Sequence, residues 1–525
     1  MKTAITRFLT VLSLVTLSAG LAIAEPSVIQ RGASIDPPSL DPNLGTSGPA
    51  SPVLSDLVEG LVIRGRRGEP VPGCAESWAV SDDGLTYTFE LRAGLKWSDG
   101  TPLTADDFVY SFRRLLDPTT GARAAGLFFI IEGGQAIARK EREPDTLGVS
   151  APDPATVVIR LEQPAPFFIQ LLANSQGVPV PQHVIEQHGR GWAKAGTMVS
   201  NGPYQLAERV PQTHIKLVRN PNFYAADDVN IDEVYWRPVQ DLGAAFRQFR
   251  AGELDTVLMA PPDELGWIRE NMPDALHMNP IQATYVLVFN VARPPFDDLR
   301  VRRALSLALD RDAMAEQVLR GNVLAAPSLV TPGTGGYPGF EVNELRRPLA
   351  ARQAEARQLL ADAGFGADKP LTVSVVFDTQ EENRKIMVAI ATMWRGVGVQ
   401  TELDSVEGRA LFGRLRGRDF GVARSSVFAV FDDPYAFLQK FESDNTDNRA
   451  GYRNTIFDST LARANAERNP AARTQLLLDA EGLLLADQPL VPIYWYIGKV
   501  LVAKRVKGWL DAPLGTPMTR WLSLD

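Results

Sequence analysis

Residues 85–113 read LTYTFELRAGLKWSDGTPLTADDFVYSFR, and this stretch decides the fold. Its first residues alternate between apolar and polar, and a period of two predicts a half-buried strand. Asp83 and Gly84 before it are typical of a tight turn, which predicts a hairpin with residues 78–80 as the partner strand. Thr104 is a typical helix N-cap, and the two aspartates shortly after it suit the positive end of a helix. The stretch therefore predicts a hairpin that leads into a helix, as in many α/β domains.

Four motifs in the chain resemble one protein family. They are AESW at 75–78, LRAGLKWSDGTPLTADDFVYS at 91–111, NGPY at 201–204 and RPPFDDLRVRRALSLALDRD at 293–312. In this order they closely resemble the solute-binding proteins of peptide-type ABC importers, known as family 5. Further matches follow towards the C-terminus, so the resemblance covers nearly the whole chain after its N-terminus.

The length of the chain and this resemblance predict several domains. At 525 residues the chain exceeds what one hydrophobic core usually supports. Between residues 371 and 403 a strand–helix–strand pattern is typical of an α/β domain. The resemblance implies an α/β, two-lobed periplasmic-binding-protein fold (type II, cluster C) with an extra inserted domain. By analogy the chain divides into a signal peptide (1–24), lobe I (25–48, 196–282 and 497–525), inserted domain II (49–195) and lobe III (283–496).

The N-terminus has the three regions of a cleaved export signal. Lys2 and Arg7 are basic, residues 8–17 are an apolar run too short to span a bilayer, and residues 22–24 read Ala-Ile-Ala. No lipobox cysteine follows, so we expect a periplasmic protein without a lipid anchor; a buried N-terminal helix is the alternative. Because no later apolar run reaches eighteen residues, no membrane span is predicted.

The charge of the chain argues against polyanionic partners. The formal net charge is −8, and removal of residues 1–24 leaves 52 basic against 62 acidic residues, a net charge of −10. An acidic surface repels nucleic acid and anionic membranes. We therefore expect no nucleic acid among the partners.

One cysteine excludes an internal disulfide. Cys74 is predicted to be a small buried apolar side chain, and a free reactive thiol is the alternative. The resemblance implies that some relatives carry a disulfide at two positions that are Ala283 and Phe428 here, so that bridge is absent.

The chain shows no recognisable catalytic or metal-binding set. His183 and His188 are five residues apart, which does not align two metal ligands on one helix face. Neither a nucleophile elbow nor a Walker loop is present, and the glycine-rich residues 333–336 are predicted to form a surface loop. We therefore predict a protein that is not an enzyme and needs no metal or cofactor; an exported hydrolase is the competing hypothesis.

The ligand site is predicted from the resemblance. Residues 423–434, ARSSVFAVFDDP, align with the strand and loop that line the cleft in peptide-binding relatives. Those proteins clamp an extended peptide between the lobes as an added strand, so main-chain hydrogen bonds supply affinity. The predicted ligand-binding residues are Asp36, Tyr110, Asn383, Arg424, Val427, Phe428, Val430, Asp432, Tyr494 and Tyr496.

The resemblance implies a role for several of these residues. Asp36 matches an acidic cleft residue that could hold a cation, although the prolines after it lack N–H donors. Arg424 matches an arginine that receives ligand carboxylates, and a structural ion pair is the alternative. Asn383 replaces a histidine that serves the same purpose. For Tyr110, Tyr494 and Tyr496 a core role and a ligand role are both open, and alternation places the last two on one face of their strand.

Val430 is the most informative departure from the family. At its position the relatives hold the α-amino group of the peptide with an aspartate. An ammonium group buried without a carboxylate would cost about 3–5 kcal/mol, which is roughly a thousandfold in affinity. Either Asp432 takes over by a small shift, or the ligand presents no free amine there. Such a ligand would be a blocked or cyclic peptide, a peptide in another register, or a non-peptide solute.

Together these features predict a periplasmic substrate-binding protein of an ABC importer. We expect a monomer that binds a peptide or peptide-sized solute between its lobes and delivers it to an inner-membrane permease. Closure would follow hinge motion, because only the closed state makes contacts from both lobes. The alternative is a receptor of the same fold for a non-peptide solute, such as an oligosaccharide or an opine, because of Val430.

Overall fold

The structure is a computed structural model that describes residues 25–44, 51–511 and 516–525. The predicted signal peptide, residues 1–24, lies outside the described residues. Within the described part, no helix is both long and apolar enough to cross a membrane. Strands and helices are mixed along the chain, which confirms the predicted α/β class.

Nineteen strands and fifteen α-helices are described, together with shorter 3₁₀ turns and one π-helix. The strands are β1 Val28–Ala33, β2 Val62–Arg64, β3 Pro70–Pro72, β4 Ala75–Val80, β5 Thr86–Leu91, β6 Val149–Asp153, β7 Thr156–Arg160, β8 Tyr204–Val210, β9 His214–Arg219, β10 Glu233–Pro238, β11 Thr256–Val257, β12 Leu276–Phe289, β13 Val323–Ala325, β14 Leu371–Asp378, β15 Val399–Val406, β16 Val422–Phe428, β17 Leu490–Val502, β18 Val506–Lys507 and β19 Ser523–Leu524. The helices are α1 Ser51–Leu57, α2 Ala105–Leu116, α3 Gly134–Ala138, α4 Phe168–Leu172, α5 Gln182–His188, α6 Leu242–Arg250, α7 Leu265–Asn271, α8 Leu299–Leu307, α9 Arg311–Ala313, α10 Leu349–Asp362, α11 Glu381–Arg395, α12 Gly408–Gly417, α13 Tyr435–Leu438, α14 Thr455–Ala466 and α15 Pro470–Asp487.

The stretch at residues 85–113 folds as its pattern predicts. β5 pairs with β4 in an antiparallel hairpin that sets Trp78 opposite Phe89, and β7 and β6 complete a four-stranded sheet. The Thr104 N–H donates to the Asp107 carboxylate (2.8 Å) at the start of α2. Phe108 on the inner face of that helix is fully buried against the sheet. Local patterning is therefore sufficient to specify this unit.

One long sheet runs through the rest of the molecule. Its eleven strands include the path β15-β14-β16-β12-β17-β11-β1-β10-β9-β8, and β13 also pairs with β17. β12 and β17 are the two longest strands of the sheet and pair antiparallel near its centre. All other strands of the sheet therefore lie on one side or the other of this central pair.

The central pair is irregular over one short segment. Residues 276–280 of β12 pair with residues 497–501 of β17, the pairing resumes at Thr284 after a register shift, and a second shift follows between Tyr285 and Val286. The predicted boundaries between lobes I and III, at residues 282/283 and 496/497, fall at this irregularity. Those domain boundaries stay a prediction.

One expectation from the sequence differs from the structure. The apolar run at residues 284–290 predicts a strand over that range, but β12 begins at Leu276, because its half-buried first part pairs with β17. The glycine-rich residues 333–336 form a surface loop, as predicted, with all three glycines exposed. Within this loop Thr334 is buried, and the Gly335 N–H donates to the Asp432 carboxylate (2.7 Å).

Cys74 is buried, as predicted. Its sulfur donates to the Glu59 carbonyl (3.3 Å) and lies 3.4 Å from the Asn201 amide nitrogen. Burial raises the pKa of the Cys74 thiol well above its usual value. Because a thiol must ionise to react as a nucleophile, the inert structural role fits this site better than the reactive one.

Candidate ligand-binding site

The outer edge of β16 is open over most of its length. β12 covers one edge of β16 from residue 422 to residue 428. On the other edge, β14 pairs only with Val422 and Ala423. Beyond Ala423, no described strand adjoins this edge. An unpaired strand edge presents N–H and C=O groups that can bind another extended chain.

The pairing with β12 shows which residues point towards this edge. The Ala429 N–H donates to the Gln282 carbonyl (2.9 Å). Because hydrogen-bonded and non-bonded pairs alternate along an antiparallel ladder, residues 425 and 427 also bond to β12. The main-chain groups of Arg424, Ser426 and Phe428 therefore face the open edge.

The side chains of these three residues converge on Tyr496. The Ser426 hydroxyl lies 2.8 Å from the Tyr496 hydroxyl, and the ring of the half-exposed Phe428 stacks on the Tyr496 ring with centroids 5.8 Å apart. An Arg424 guanidinium nitrogen donates to the Tyr496 hydroxyl (3.5 Å). Val427 points to the opposite face and is buried in the core, because side chains alternate along a strand. The structure thus brings together three of the predicted site residues, Arg424, Phe428 and Tyr496. Val427 is not part of this group.

Arg424 belongs to a nearly buried polar network. Its guanidinium lies 3.4 Å from the Asp378 carboxylate and 4.9 Å from the centre of the Tyr285 ring. The Asn383 amide donates to Asp378 (2.7 Å) and accepts from the Tyr285 hydroxyl (3.0 Å). Burial disfavours the charge of Arg424, but Tyr285, Tyr496 and Asp378 more than offset it and raise its pKa. The ion pair considered as the alternative is present, and carboxylate binding by Arg424 and Asn383 stays a prediction.

The chain that follows β16 contains two more predicted site residues, Val430 and Asp432. The Val430 carbonyl accepts from the Asn174 amide (3.0 Å), and the Phe428 carbonyl accepts from the Lys440 ammonium (2.9 Å). Asp432 accepts from Gln282 and from the Gly335 N–H. Burial raises the pKa of the Asp432 carboxyl. The Asp432 carboxylate thus already has two donors within the protein, and its predicted role as an amine anchor stays a prediction.

The remaining predicted residues have partners elsewhere. Asp36 accepts from the Arg209 guanidinium (2.8 Å) and from the Gln212 N–H (3.1 Å) in the β8–β9 hairpin. Tyr110 packs against a core cluster that includes Ile29 and Val234. Tyr494 is buried and stacks on Tyr285 with centroids 4.7 Å apart. Its ring is 5.0 Å from that of Tyr496, which confirms that the two share a face.

The strand register places the two disulfide-equivalent positions side by side. Ala283 of β12 and Phe428 of β16 are direct cross-strand partners. Two cysteines there would be within bridging range, which supports the alignment of residues 423–434 with the family.

Sequence reasoning missed several residues of the site. Asp378 ends a parallel strand, where polar side chains often serve a site, and this position was a usable signal. Lys440, Asn174 and Arg64 carried no such signal, because they reach the site from other elements of the chain. Among the described residues, no group of three or more His, Cys, Asp or Glu side chains is placed to hold a metal ion.

One long sheet with two long central strands, an open strand edge and a polar, aromatic face beside that edge is the architecture expected of a two-lobed solute-binding protein. The model of the bacterial extracellular solute-binding proteins, family 5 (middle region), matches residues 69–449. The chain belongs to this family.

Known relatives match the chain over nearly its whole length. The periplasmic oligopeptide-binding protein of Escherichia coli (strain K12) is 34% identical over 514 residues, which cover 96% of this chain and 93% of that protein. The solved Escherichia coli murein tripeptide binding protein has a TM-score of 0.82 at 33% identity and covers 95% of this chain and 99% of its own. The Haemophilus influenzae protein in complex with the peptide RPPGFSPFR has a TM-score of 0.80 at 30% identity, with 95% and 99% coverage. The predicted family and fold are confirmed.

Proposed function

We propose that this protein is a periplasmic receptor that binds an extended peptide or peptide-like solute along the open edge of β16. It acts by binding rather than by catalysis, and it delivers its ligand to an inner-membrane ABC permease. The predicted signal peptide at residues 1–24 would export it. The one observation that carries the proposal is the open edge itself, where Ser426 and Phe428 direct main-chain groups outward.

The chemistry of this edge suits a peptide. Main-chain pairing along an edge strand is independent of ligand side chains, so one site accommodates many sequences. Phe428 and Tyr496 offer apolar and aromatic surface beside the edge for ligand side chains. Similar proteins bind oligopeptides or a murein tripeptide, and one is solved with a nine-residue peptide.

The position of the edge also suits a closing receptor. β16 lies directly beside β12, close to the register shift that separates the two halves of the β12–β17 pair. An irregular segment in two shared strands can absorb a change in backbone dihedral angles while the flanking sheets remain rigid. Closure at this point would bring lobe I over the β16 edge. The lobe boundaries at 282/283 and 496/497 are part of this proposal.

The proposal is tested by ligand-dependent thermal stability and by one backbone substitution. A pool of mixed tri- to pentapeptides, offered well above its dissociation constant, should raise the melting temperature by mass action. Oligosaccharide and opine pools should not. A shift produced only by a non-peptide pool would favour the alternative solute, and no shift from any pool would contradict the proposal.

Ser426→Pro removes the outward N–H and should weaken peptide binding about threefold to tenfold, the value of one hydrogen bond. Ser426→Ala is the matched control, because it keeps the N–H and loses only the hydroxyl. Proline is tolerated on an edge strand, so the unliganded melting temperature should stay close to that of the parent. Equal affinities of the two variants would argue against main-chain pairing at Ser426.

A further inference from the structure

The end of the β16 edge that approaches Val430 has its carbonyl acceptors occupied. The Phe428 carbonyl, which faces the open edge, accepts from Lys440 (2.9 Å), and the Val430 carbonyl accepts from Asn174 (3.0 Å). These are the oxygens that a ligand ammonium group would need. An ammonium group has three donors and no acceptor, and each of these oxygens has only one lone pair left to offer it.

The charges at this end are also unfavourable for an ammonium group. Lys440 is half-buried at the Phe428 carbonyl, and the half-buried Arg64 donates to the Asn174 amide oxygen (3.0 Å). Burial raises the pKa of the Asp432 carboxyl, which the nearby Arg64 only partly offsets, and its carboxylate already accepts from Gln282 and Gly335.

Two neighbouring carboxylates already form ion pairs with arginines. Asp433 forms a two-point ion pair with Arg473 (2.8 and 2.9 Å). Asp447, beside Lys440, is paired with Arg449. At this end Lys440 and Arg64 are thus two cations beside one carboxylate, Asp432, that has no ion-pair partner of its own among the described residues, and Val430 adds only an aliphatic side chain next to Arg64 and Asp432.

A neutral carbonyl or an anion fits these surroundings. An acyl oxygen or a carboxylate accepts hydrogen bonds and is attracted by the surplus cation, whereas an ammonium group is repelled by Lys440 and Arg64. We infer that the preferred ligands are peptides whose end at Val430 carries an acyl-blocked amine in place of a free one. This inference rests on the proposed function of the β16 edge and names the ligand class for it.

The test compares one peptide pool in two chemical forms by isothermal titration calorimetry. The pool contains lysine-free tri- to pentapeptides, so that acetylation changes only the α-amine. The acetylated pool should bind at least about tenfold more tightly than the free-amine pool. Equal binding, or tighter binding of the free-amine pool, would overturn the inference and leave the proposed function standing. Binding of neither form would instead refute the proposed function.

Two substitutions at one position provide a second test. Val430→Asp supplies the missing carboxylate and should strengthen binding of the free-amine pool about tenfold or more. Val430→Asn, of nearly equal size and without charge, is the matched control and should leave the acetyl preference in place. If Val430→Asp binds the free-amine pool no better than Val430→Asn does, the end of the ligand is not at Val430. The comparison of the two pools on the parent protein needs no variant and holds even if a variant does not fold.

Discussion

Arg424 is held more firmly than a ligand anchor alone would require. Its side chain is 20% exposed and that of Asp378 only 9%, and Asn383 and Tyr285 complete the network around them. A carboxylate that loses its cation in such surroundings retains the full cost of desolvation. The ion pair therefore fixes the shape of the site whether or not a ligand is bound.

Arg424→Met should destabilise the unliganded protein by about 2–3 kcal/mol, somewhat less than a fully buried pair because Arg424 is partly exposed. Adding Asp378→Asn should recover part of this loss, because the uncompensated carboxylate is then gone. Thermal unfolding of the parent, the two single variants and the double variant measures the coupling. Strictly additive effects would show that the pair does not interact.

Glu481 is a buried acid on α15 that organises a loop near the site. It accepts from the N–H groups of Leu329 and Val330 (2.8 Å each) and from the Tyr337 hydroxyl (2.6 Å). The loop that follows contains Gly335, which donates to Asp432. Burial raises the pKa of the Glu481 carboxyl to about 7.

This raised pKa predicts a pH dependence of stability. Because the folded protein holds the Glu481 proton more tightly than the unfolded chain, the contribution to stability is complete below about pH 4.5 and is lost as pH rises through about 7. Glu481→Gln mimics the protonated acid, so the variant should lose less melting temperature than the parent between pH 5 and 8. The half-buried Glu442, whose pKa burial raises to about 7, should supply part of the pH dependence that remains in the variant.

The exposed Asp479 on the same helix provides the control. Asp479→Asn should follow the pH profile of the parent. If Glu481→Gln also follows that profile, the Glu481 carboxyl does not titrate in this range.

At the scale of elements, the register between β12 and β16 positions the whole site. Ala283 and Phe428 form a non-hydrogen-bonded pair, because the next pair along, residues 282 and 429, is hydrogen-bonded. Such pairs have Cα atoms about 4.5 Å apart, within the range that a disulfide spans. A shift of register by one residue would turn the opposite face of β16 towards Tyr496.

The double variant Ala283→Cys, Phe428→Cys should therefore form a disulfide on mild oxidation. The bridge closes a long loop and should raise stability by up to about 4 kcal/mol, less the lost stacking of Phe428. Intact mass and thiol titration report the bond, and reduction should reverse the gain in melting temperature. The single-cysteine variants are the controls. A double variant that keeps both thiols free would contradict the register.

The sequence predicts the local secondary-structure elements, but it does not predict the contacts between residues far apart in the chain. The β4–β5 hairpin, the N-cap at Thr104 and the shared face of Tyr494 and Tyr496 follow from short-range periodicity. The early start of β12 was missed, because its first residues are held by pairing with β17 and not by an apolar pattern. Asn174 reaches the carbonyl of Val430 from far along the chain, so no local pattern signals it.

At the scale of the molecule, residues of the predicted inserted domain pack directly against residues of the predicted lobe III. The ring of Phe167 lies 4.8 Å from those of both Phe431 and Tyr435, and all three side chains are buried. Asn174, a few residues later, bonds to Val430. The arrangement that encloses the Val430 end of the site is thus stabilised by an aromatic contact between the two regions.

Phe167→Ala should weaken this arrangement. The loss of a buried aromatic side chain costs about 3–5 kcal/mol, so both the melting temperature and the peptide affinity should fall. Phe412→Ala is the control, because that ring is 70% exposed and its removal should change neither quantity. An unchanged affinity for Phe167→Ala would separate the aromatic contact from ligand binding.

Hydrogen exchange of the β16 edge with and without peptide tests the central claim most directly. With the acetylated peptide pool at saturation, the amides of Ser426 and Phe428 should exchange more slowly, because a ligand strand accepts from them. The amide of Val427, already bonded to β12, should change less. Unchanged exchange at Ser426 and Phe428, in a sample whose melting temperature the same peptides raise, would show that the ligand binds elsewhere.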